Sequence, residues 1–419
     1  MNIENNKSPY YNLHTLKTDK FKTVQIRIDF RRKIKKEEIT KRNVLADMLT
    51  RSTKKYQTER EMVIQSEELY NANYGYNVCS SGNWSIMSFY ISSLSDKYTE
   101  DKNLEKVITF LMEMIFNPNI NNKSFDEKTL NLSKNYVKKY IEDIYDSPKR
   151  YARNRIREIM NPNSPFSYHQ DGYIEDLEKI DGSNLYNYYL NVLKNDIVDI
   201  YVVGEFDNLN IFDNYFKNKK KENNLNHIIT HKKIRNKLKK VVEEKSVRQS
   251  TFVLGCKINE MNSYEMQYVS NVYSFILGGS PDSKLFTNVR EKNSLCYSIS
   301  SVIAPVTNSM YIYAGIDKKD YKKTLKEVIK QIDEMNKGNF SEEEIENAKA
   351  TYKSSIKELN DSETSIISTI ASMNYINYDS LEERIKKIEN VTKEDIIEFS
   401  KKIKLDSVYL LKGVLDEKN

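Results

Sequence analysis

The chain has 419 residues, more than one hydrophobic core usually holds, so we expect two or more domains. Its 66 basic and 60 acidic residues are scattered and leave a net charge of only +6, which argues against a nucleic-acid partner. No apolar run approaches the roughly 20 residues of a membrane span, and the first residues lack the apolar core of a signal peptide. The three cysteines are widely spaced and form no C-x-x-C pair. This composition favours a cytoplasmic protein with reduced thiols and no membrane partner.

The first clear element is a strand. The stretch "TVQIRIDF" (23–30) alternates apolar and polar residues strictly, as a half-buried strand does. The stretch "KRNVLADMLTRSTKKY" (41–56) follows and predicts an amphipathic helix. Asn43, Ala46 and Asp47 stand at spacings i, i+3 and i+4, so they share one face of that helix. From the sequence we expect this face to be an ordinary helix surface at Asn43 and Asp47.

The rest of the first half is repeated in the second half. Three segments match in the same order and in nearly constant register: 103–111 with 324–332, 125–147 with 340–362, and 175–204 with 383–413. A strand precedes the first repeated helix in each half, "SIMSFYI" in one and "MYIYAGI" in the other. Each half also closes with a strand, "DIYVV" or "SVYLL". Generic amphipathic helices are unlikely to produce three matches in register, so the chain is predicted to be an internal duplication.

The duplication predicts the fold class and the domain boundaries. We expect an α+β protein of two homologous domains, each a mainly antiparallel sheet packed against helices. The N-terminal domain covers 1–216 and the C-terminal domain covers 248–419, where "TFVLGCKI" (251–258) is the counterpart of the first strand. Between them, 217–247 is polar and strongly basic and is interpreted as a solvated connector. His227 and His231 have a metal-compatible spacing there, but no carboxylate accompanies them, so chance explains the pair better.

A duplicated α+β chain of this length, with a helix near residue 45 that ends in "MLTRSTKKY", resembles the insulinase (pitrilysin) family of zinc peptidases. Within that family it is similar to the bacterial branch related to mitochondrial processing peptidase. Family members carry H-x-x-E-H on this helix. The likeness covers nearly the whole chain, since "FNPNI" (116–120), "FDEKTL" (125–130) and "VVGEFD" (202–207) also fall where the family has similar segments.

The resemblance implies that the zinc site has been lost. It places Asn43 and Asp47 where the family has two zinc-binding histidines, and Ala46 where it has the catalytic glutamate. The third ligand, also a glutamate, falls near Tyr140; Glu142 lies two residues further, where a helix points it elsewhere. This implies no metal, no cofactor and no catalytic residue in this chain, with zinc only in a partner subunit.

A different part of the family pattern is intact. The segment 277–301 resembles the family's R-E-K-x-x-L-x-Y stretch, in which an Arg and a Tyr seven residues later help to bind the substrate peptide. These residues are Arg290 and Tyr297 here. A guanidinium offers planar donors to a peptide carbonyl, and a phenol adds another. The alternative is that Arg290 pairs with a surface carboxylate and Tyr297 packs in the core.

The combination of a lost metal site and a retained binding segment implies a divided active site. The main hypothesis is a non-catalytic subunit of a heterodimeric zinc peptidase, with a paralogous H-x-x-E-H subunit as partner and a peptide as substrate. The closest likeness is to paired bacterial genes associated with elongation factor P modification, on "FRRKIKKEEITKRNVL" (30–45) and "EELYNANYGYNVCSSG" (67–82). The alternative is a stand-alone or homodimeric peptide-binding protein without hydrolytic activity. A third possibility is an enzyme with a new site, for which the sequence offers no candidate triad.

Overall fold

The computed structural model describes residues 3–8, 10–216, 227 and 234–415. These residues form two compact units that are interleaved along the chain. Unit 1 contains the described residues of Met1–Glu142, His169–Asn226 and Leu359–Tyr375, and unit 2 those of Asp143–Tyr168, His227–Glu358 and Ile376–Asn419. The predicted division into 1–216, 217–247 and 248–419 is a division into sequence repeats and stays a prediction.

The described strands number thirteen: β1 Glu4–Lys7, β2 Asn12–Lys17, β3 Thr23–Lys33, β4 Asn73–Ser81, β5 Trp84–Leu94, β6 Ile120–Asn121, β7 Ser124–Phe125, β8 Ile197–Gly204, β9 Lys239–Lys245, β10 Ser250–Ile258, β11 Ser298–Ala304, β12 Ser309–Ile316 and β13 Ile403–Gly413. The α-helices in the described part are α1 Lys36–Arg51, α2 Glu59–Glu68, α3 Leu104–Phe116, α4 Glu127–Asp146, α5 Pro148–Met160, α6 Ile174–Leu177, α7 Gly182–Asn195, α8 Ser270–Ser274, α9 Tyr321–Asn336, α10 Glu342–Glu358, α11 Glu363–Ile376, α12 Leu381–Lys387 and α13 Lys393–Lys401. Helical segments with wider turns lie at Glu265–Val269, Phe275–Gly279 and Phe286–Lys292.

The sheet of unit 1 has its described strands in the order β1-β2-β8-β3-β5-β4. Neighbours are antiparallel except β2 and β8, which are parallel. The predicted strand 23–30 forms the centre of this sheet, and its apolar residues pack under α1 and α3, which bury Val44, Leu45, Val107 and Leu111. This packing fixes α1, which carries the family's metal positions, against the sheet.

The sheet of unit 2 repeats that topology in the order β11-β12-β10-β13-β9. Its one parallel pair, β13 with β9, corresponds to β8 with β2. The predicted strands "TFVLGCKI", "MYIYAGI" and "SVYLL" lie in β10, β12 and β13. The α+β class, with two related and mainly antiparallel sheets packed against helices, is therefore confirmed.

The sequence repeats do not predict which sheet the helices α5 and α11 cover. The helix α5 lies in the first half of the sequence but belongs to unit 2, and α11 lies in the second half but nearly all of it belongs to unit 1. In unit 2, α5 packs Ile156 and Met160 in an apolar cluster on β10 and β13, and Gly255 leaves no room for a Cβ beneath them. In unit 1, α11 meets the sheet through polar groups: Tyr375 Oη donates to the buried Asp29 carboxylate at 2.8 Å. A helix's apolar face does not encode which of two similar sheets it covers.

The predicted connector contains a strand. Residues 239–245 form β9, where Val241 aligns with Tyr409 of β13, so the end of 217–247 is not a solvated tether. His227 is buried, whereas His231 lies outside the described residues, as do 217–226, 228–230, 232 and 233. Among the helices that the structure describes, none combines the length and apolar character of a membrane span.

Candidate functional site

The helix α1 carries three of the four positions that correspond to the family's metal site. Asn43, Ala46 and Asp47 share one face of it, as the spacing predicts. Ala46 is fully buried in the core of unit 1, and the Asp47 residue is only 4% exposed. The expectation of an ordinary helix surface is therefore wrong at Asp47, because neighbouring side chains cover it.

Asp47 is held by a cation and a phenol. Arg51, one turn later on α1, donates its Nε to Asp47 Oδ2 and its Nη2 to Asp47 Oδ1, the latter at 3.2 Å. Tyr76 Oη donates to the same Oδ1 at 3.1 Å. Burial, together with the nearby Asp47 carboxylate, raises the pKa of Tyr76, so this phenol stays protonated as a donor. Arg51 also pairs with Glu59. Asp47 is thus a structural anion whose two oxygens already accept hydrogen bonds.

Asn43 also serves local structure. Its Nδ2 donates to the Ile39 carbonyl and to the Gln170 carbonyl, both at 3.0 Å. The second bond ties α1 to the segment that follows residue 168. The amide nitrogen therefore holds α1 to neighbouring backbone.

Tyr140 lies on α4 and lines a cavity of about 460 Å³ in unit 1. Among the described residues that line this cavity are five tyrosines, a feature that we call the tyrosine cleft: Tyr74, Tyr76, Tyr90, Tyr136 and Tyr140, together with Asn43, Thr50, Gly75, Asn77, Val78, Val137 and Asp171. Two of the family's metal positions, Asn43 and Tyr140, thus open onto the cleft. The sequence did not predict it, because its tyrosines come from the neighbouring strands β4 and β5 and from α4, which lies far from them in the sequence.

The residues at this site do not fit zinc. Ala46 has no base, Asp47 is engaged by Arg51 and Tyr76, and Tyr140 is a neutral phenol in place of a carboxylate. Glu142 does not replace the missing ligand, since its side chain is 50% exposed and pairs with Lys138. In the described part of the chain, no group of three His, Cys, Asp or Glu side chains is arranged to hold a metal ion.

The cysteines offer no substitute nucleophile. None of the three is in a disulfide. Burial raises the pKa of Cys79 to about 11 and that of Cys296 to about 11, and it also raises the pKa of the fully buried Cys256. Because the thiolate is the reactive form, these thiols are inert at neutral pH. They give no support to the hypothesis of an enzyme with a new site.

The predicted substrate-binding residues lie in unit 2 and are open to solvent. Arg290 is on the helical segment Phe286–Lys292, with its side chain 39% exposed. Its Nε is 3.7 Å from Glu291 Oε1, and its Cζ is 4.4 Å from the centroid of the Phe286 ring. The alternative that Arg290 has a surface carboxylate nearby is thus observed, though at a distance too long for a strong hydrogen bond.

Tyr297 is the most exposed large hydrophobic residue in the described part of the chain, at 62%. The alternative that it packs in the core is wrong. Its backbone N–H donates to the Gly315 carbonyl at 2.9 Å, which fixes the start of β11 while the ring stays outside. Tyr297 lines a cavity of about 480 Å³ with Arg248, Gln249, Ile316, Asp317, Lys318 and Leu415. Arg290 is not among the described residues of that lining.

Comparisons with known proteins agree with the loss of the metal site. Residues 179–352 match the family model described as the M16 peptidase inactive domain. The chain is 30% identical over 411 residues to the "Probable inactive metalloprotease YmfF" of Bacillus subtilis, covering 96% of this chain and 95% of that protein. It is 25% identical over 268 residues to the "Uncharacterized zinc protease YmxG" of the same organism, covering 61% of each chain.

Solved structures show the same fold. A conserved protein from Enterococcus faecalis superposes with a TM-score of 0.92 at 27% identity, over 100% of both chains. A structure from Pseudomonas fluorescens described as an M16 peptidase inactive domain has a TM-score of 0.78 at 16% identity, over 100% of both chains, which shows the fold alone.

Proposed function

The chain belongs to the M16 (insulinase) peptidase family as an inactive-type homologue, and from this premise we propose that it is the non-catalytic subunit of a heterodimeric zinc peptidase. In this proposal a paralogous subunit with H-x-x-E-H holds the zinc. The present chain contributes Arg290 and Tyr297 to the binding of the substrate peptide in the partner's active site. Cytoplasmic localisation belongs to the same proposal, because all three thiols are unpaired.

One observation carries the proposal: Tyr297 is exposed and Arg290 is partly exposed, whereas Ala46 is buried and Asp47 is already paired with Arg51. Tyr297 leaves a large ring in solvent, and Arg290 has no short ion pair among the contacts described above. Apart from the contact of the Arg290 guanidinium with the Phe286 ring, the contacts described above give neither side chain a structural role. An exposed guanidinium and an exposed phenol suit the carbonyl groups of an extended peptide, and they suit the oxyanion that forms when such a carbonyl is attacked.

The relatives support a paired arrangement. Bacillus subtilis has one relative described as a probable inactive metalloprotease and another described as a zinc protease, and both resemble this chain. One organism thus has a relative named as probably inactive and a second relative named as an uncharacterized zinc protease. We extend this to the present chain by proposing an active-type paralogue as its partner. The link to elongation factor P modification stays a prediction.

The test is peptide hydrolysis by the assembled complex. We expect Arg290→Ala to lower activity per complex by roughly 30- to 1000-fold, since one charge-assisted contact in a transition state contributes about 2 to 4 kcal/mol. Tyr297→Phe removes only the hydroxyl, and we expect a smaller loss. Lys292→Ala is the matched control, because it removes an exposed cation two residues away. Full activity of both Arg290→Ala and Tyr297→Phe would contradict the substrate-binding role.

The second candidate is a stand-alone or homodimeric peptide-binding protein without hydrolytic activity. The tyrosine cleft favours it, since a cavity of about 460 Å³ is within the usual range for binding sites. The genomic neighbourhood separates the two candidates: an adjacent gene encoding an H-x-x-E-H paralogue supports the heterodimer. Its absence, with a chain that binds peptides alone, supports the second candidate.

A further inference from the structure

We propose that the tyrosine cleft binds the positively charged side chain of an arginine or lysine in an extended peptide. Two positions that correspond to the family's metal site, Asn43 and Tyr140, line the cleft, and four further tyrosines line it with them. This inference rests on the proposed function only in taking a peptide as the ligand. It concerns a site in unit 1, distinct from Arg290 and Tyr297 in unit 2.

The charge of the lining favours a cation. Among the described lining residues, Asp171 is the only one with a formal charge at neutral pH. Burial raises the pKa of Tyr74 and, together with Asp47, that of Tyr76, so these two phenols stay protonated. Neutral phenol rings present a negative face, which attracts guanidinium and ammonium groups. An anionic ligand would meet these negative faces, and the described lining contains no cationic side chain.

A cation already lies on one ring of the cleft. The Arg51 Cζ is 5.5 Å from the centroid of the Tyr136 ring, a distance typical of cation–π contact. The charge of Arg51 does not repel a second cation strongly, because Asp47 and Glu59 both pair with it. This contact shows that a guanidinium can reach the π-face of the Tyr136 ring.

The helix α4 leaves an unusual stripe of large side chains in solvent beside the cleft. Leu132, Tyr136 and Tyr140 recur every four residues on one face and are 48%, 51% and 45% exposed. Contiguous exposed apolar side chains often mark an interaction site.

In the sheet part of the lining, the ring of Tyr90 packs over Gly75, where a Cβ would approach Tyr90 Oη to 2.6 Å. Gly75 therefore provides the space that Tyr90 occupies in the cleft.

The position of β4 favours a peptide over a compact small molecule. Residues 74–78 of β4 line the cleft, and β4 is the last strand in the described order of its sheet. Its outer edge has backbone groups with no described strand beside them. An extended segment can lie along such an edge and direct every second side chain to one face. A single arginine or lysine can then enter the cleft.

The test uses the purified chain alone and a pair of blocked, fluorescently labelled, unstructured peptides. The peptides differ only in one position, which is arginine in one and citrulline in the other, so shape is kept and charge is removed. By fluorescence anisotropy we expect the arginine peptide to bind about 3- to 30-fold more tightly, the range of a partly desolvated cation–π contact. Equal affinities, or no measurable binding of either peptide, would overturn the proposal.

Variants of the chain test whether the preference for the arginine peptide arises in the tyrosine cleft. Tyr140→Leu should remove most of the arginine preference, whereas Tyr140→Phe, which keeps the π-face, should retain it. Tyr145→Leu is the matched control, because Tyr145 is an exposed tyrosine on the same helix and is not in the described lining of the cleft. A preference that persists in Tyr140→Leu, or is lost in Tyr145→Leu, would contradict the assignment. These binding measurements need no partner subunit, so their failure leaves the effect of Arg290→Ala on the complex as a separate result.

Discussion

Two regions correspond to functional parts of the family. The helix α1 carries positions of the metal site, and the segment with Arg290 and Tyr297 carries the substrate-binding residues. The surroundings of these two regions differ. On α1 the former catalytic positions have acquired structural contacts: Ala46 packs in the core and Asp47 pairs with Arg51. In unit 2 the retained residues stay at the surface, and Tyr297 exposes 62% of its area. The difference indicates that α1 now contributes to stability, whereas Arg290 and Tyr297 have little structural role to explain their presence.

The largest change in stability that this comparison predicts is for substitution of Asp47. We expect Asp47→Ala to lower the free energy of unfolding by about 2 to 4 kcal/mol, since it removes a buried carboxylate that accepts hydrogen bonds from the Arg51 guanidinium and from the Tyr76 hydroxyl. Urea denaturation of the purified chain measures this. Glu142→Ala is the control, because its pair with Lys138 is solvent-exposed and should contribute about 0 to 1 kcal/mol.

A double variant tests whether the loss of stability comes from the ion pair between Asp47 and Arg51. Asp47→Ala combined with Arg51→Met should be less destabilising than Asp47→Ala alone, because the Arg51 guanidinium, which has lost one of its two carboxylate partners, is then removed as well. If Asp47→Ala costs no more than Glu142→Ala, α1 has not acquired the structural role described here.

A smaller effect is expected for the exposed residues. Arg290→Ala and Tyr297→Phe should each change the free energy of unfolding by about 0 to 1 kcal/mol, because a surface ion pair contributes little and the Tyr297 ring lies in solvent. The same urea denaturation experiment applies. A loss as large as that of Asp47→Ala in either variant would remove the contrast between the two regions.

The smallest effect concerns zinc. Adding zinc to the purified chain should not shift its unfolding midpoint, since a ligand stabilises a protein only by binding its folded state. Asp47→His should also remain without peptidase activity, because Ala46 supplies no base and Tyr140 no carboxylate. A zinc-dependent rise in stability, or chelator-sensitive hydrolysis by Asp47→His, would show that the metal site is less degraded than its contacts indicate.

Much of the fold can be predicted from local sequence patterns. The alternation in 23–30 predicts β3, and the repeated segments predict two sheets of one topology. The positions of α5 and α11 cannot be predicted this way, because the choice between two similar sheets depends on distant partners such as Gly255 and Asp29. The strand β9 was missed because its charged sequence, "KKVVEEK", is typical of a tether, and only pairing with β13 makes it a strand.

The site could be predicted only in part. A motif comparison identifies which residues replace the metal ligands, and the i, i+4 spacing of Asp47 and Arg51 allows an ion pair. The burial of Asp47 depends also on Tyr76, a contact between residues far apart in sequence. The tyrosine cleft likewise joins rings from β4, β5 and α4, whose proximity is a property of the folded sheet and helix.

The measurement that tests the central claim most directly is purification of the chain from its native cell under mild conditions. We predict that a protein of similar length with an intact H-x-x-E-H motif is purified with it in a constant ratio. The mixture should cleave unstructured peptides in a chelator-sensitive reaction, and the present chain alone should not. A chain that purifies without such a partner, or that alone contains one zinc and cleaves peptides, would contradict the account.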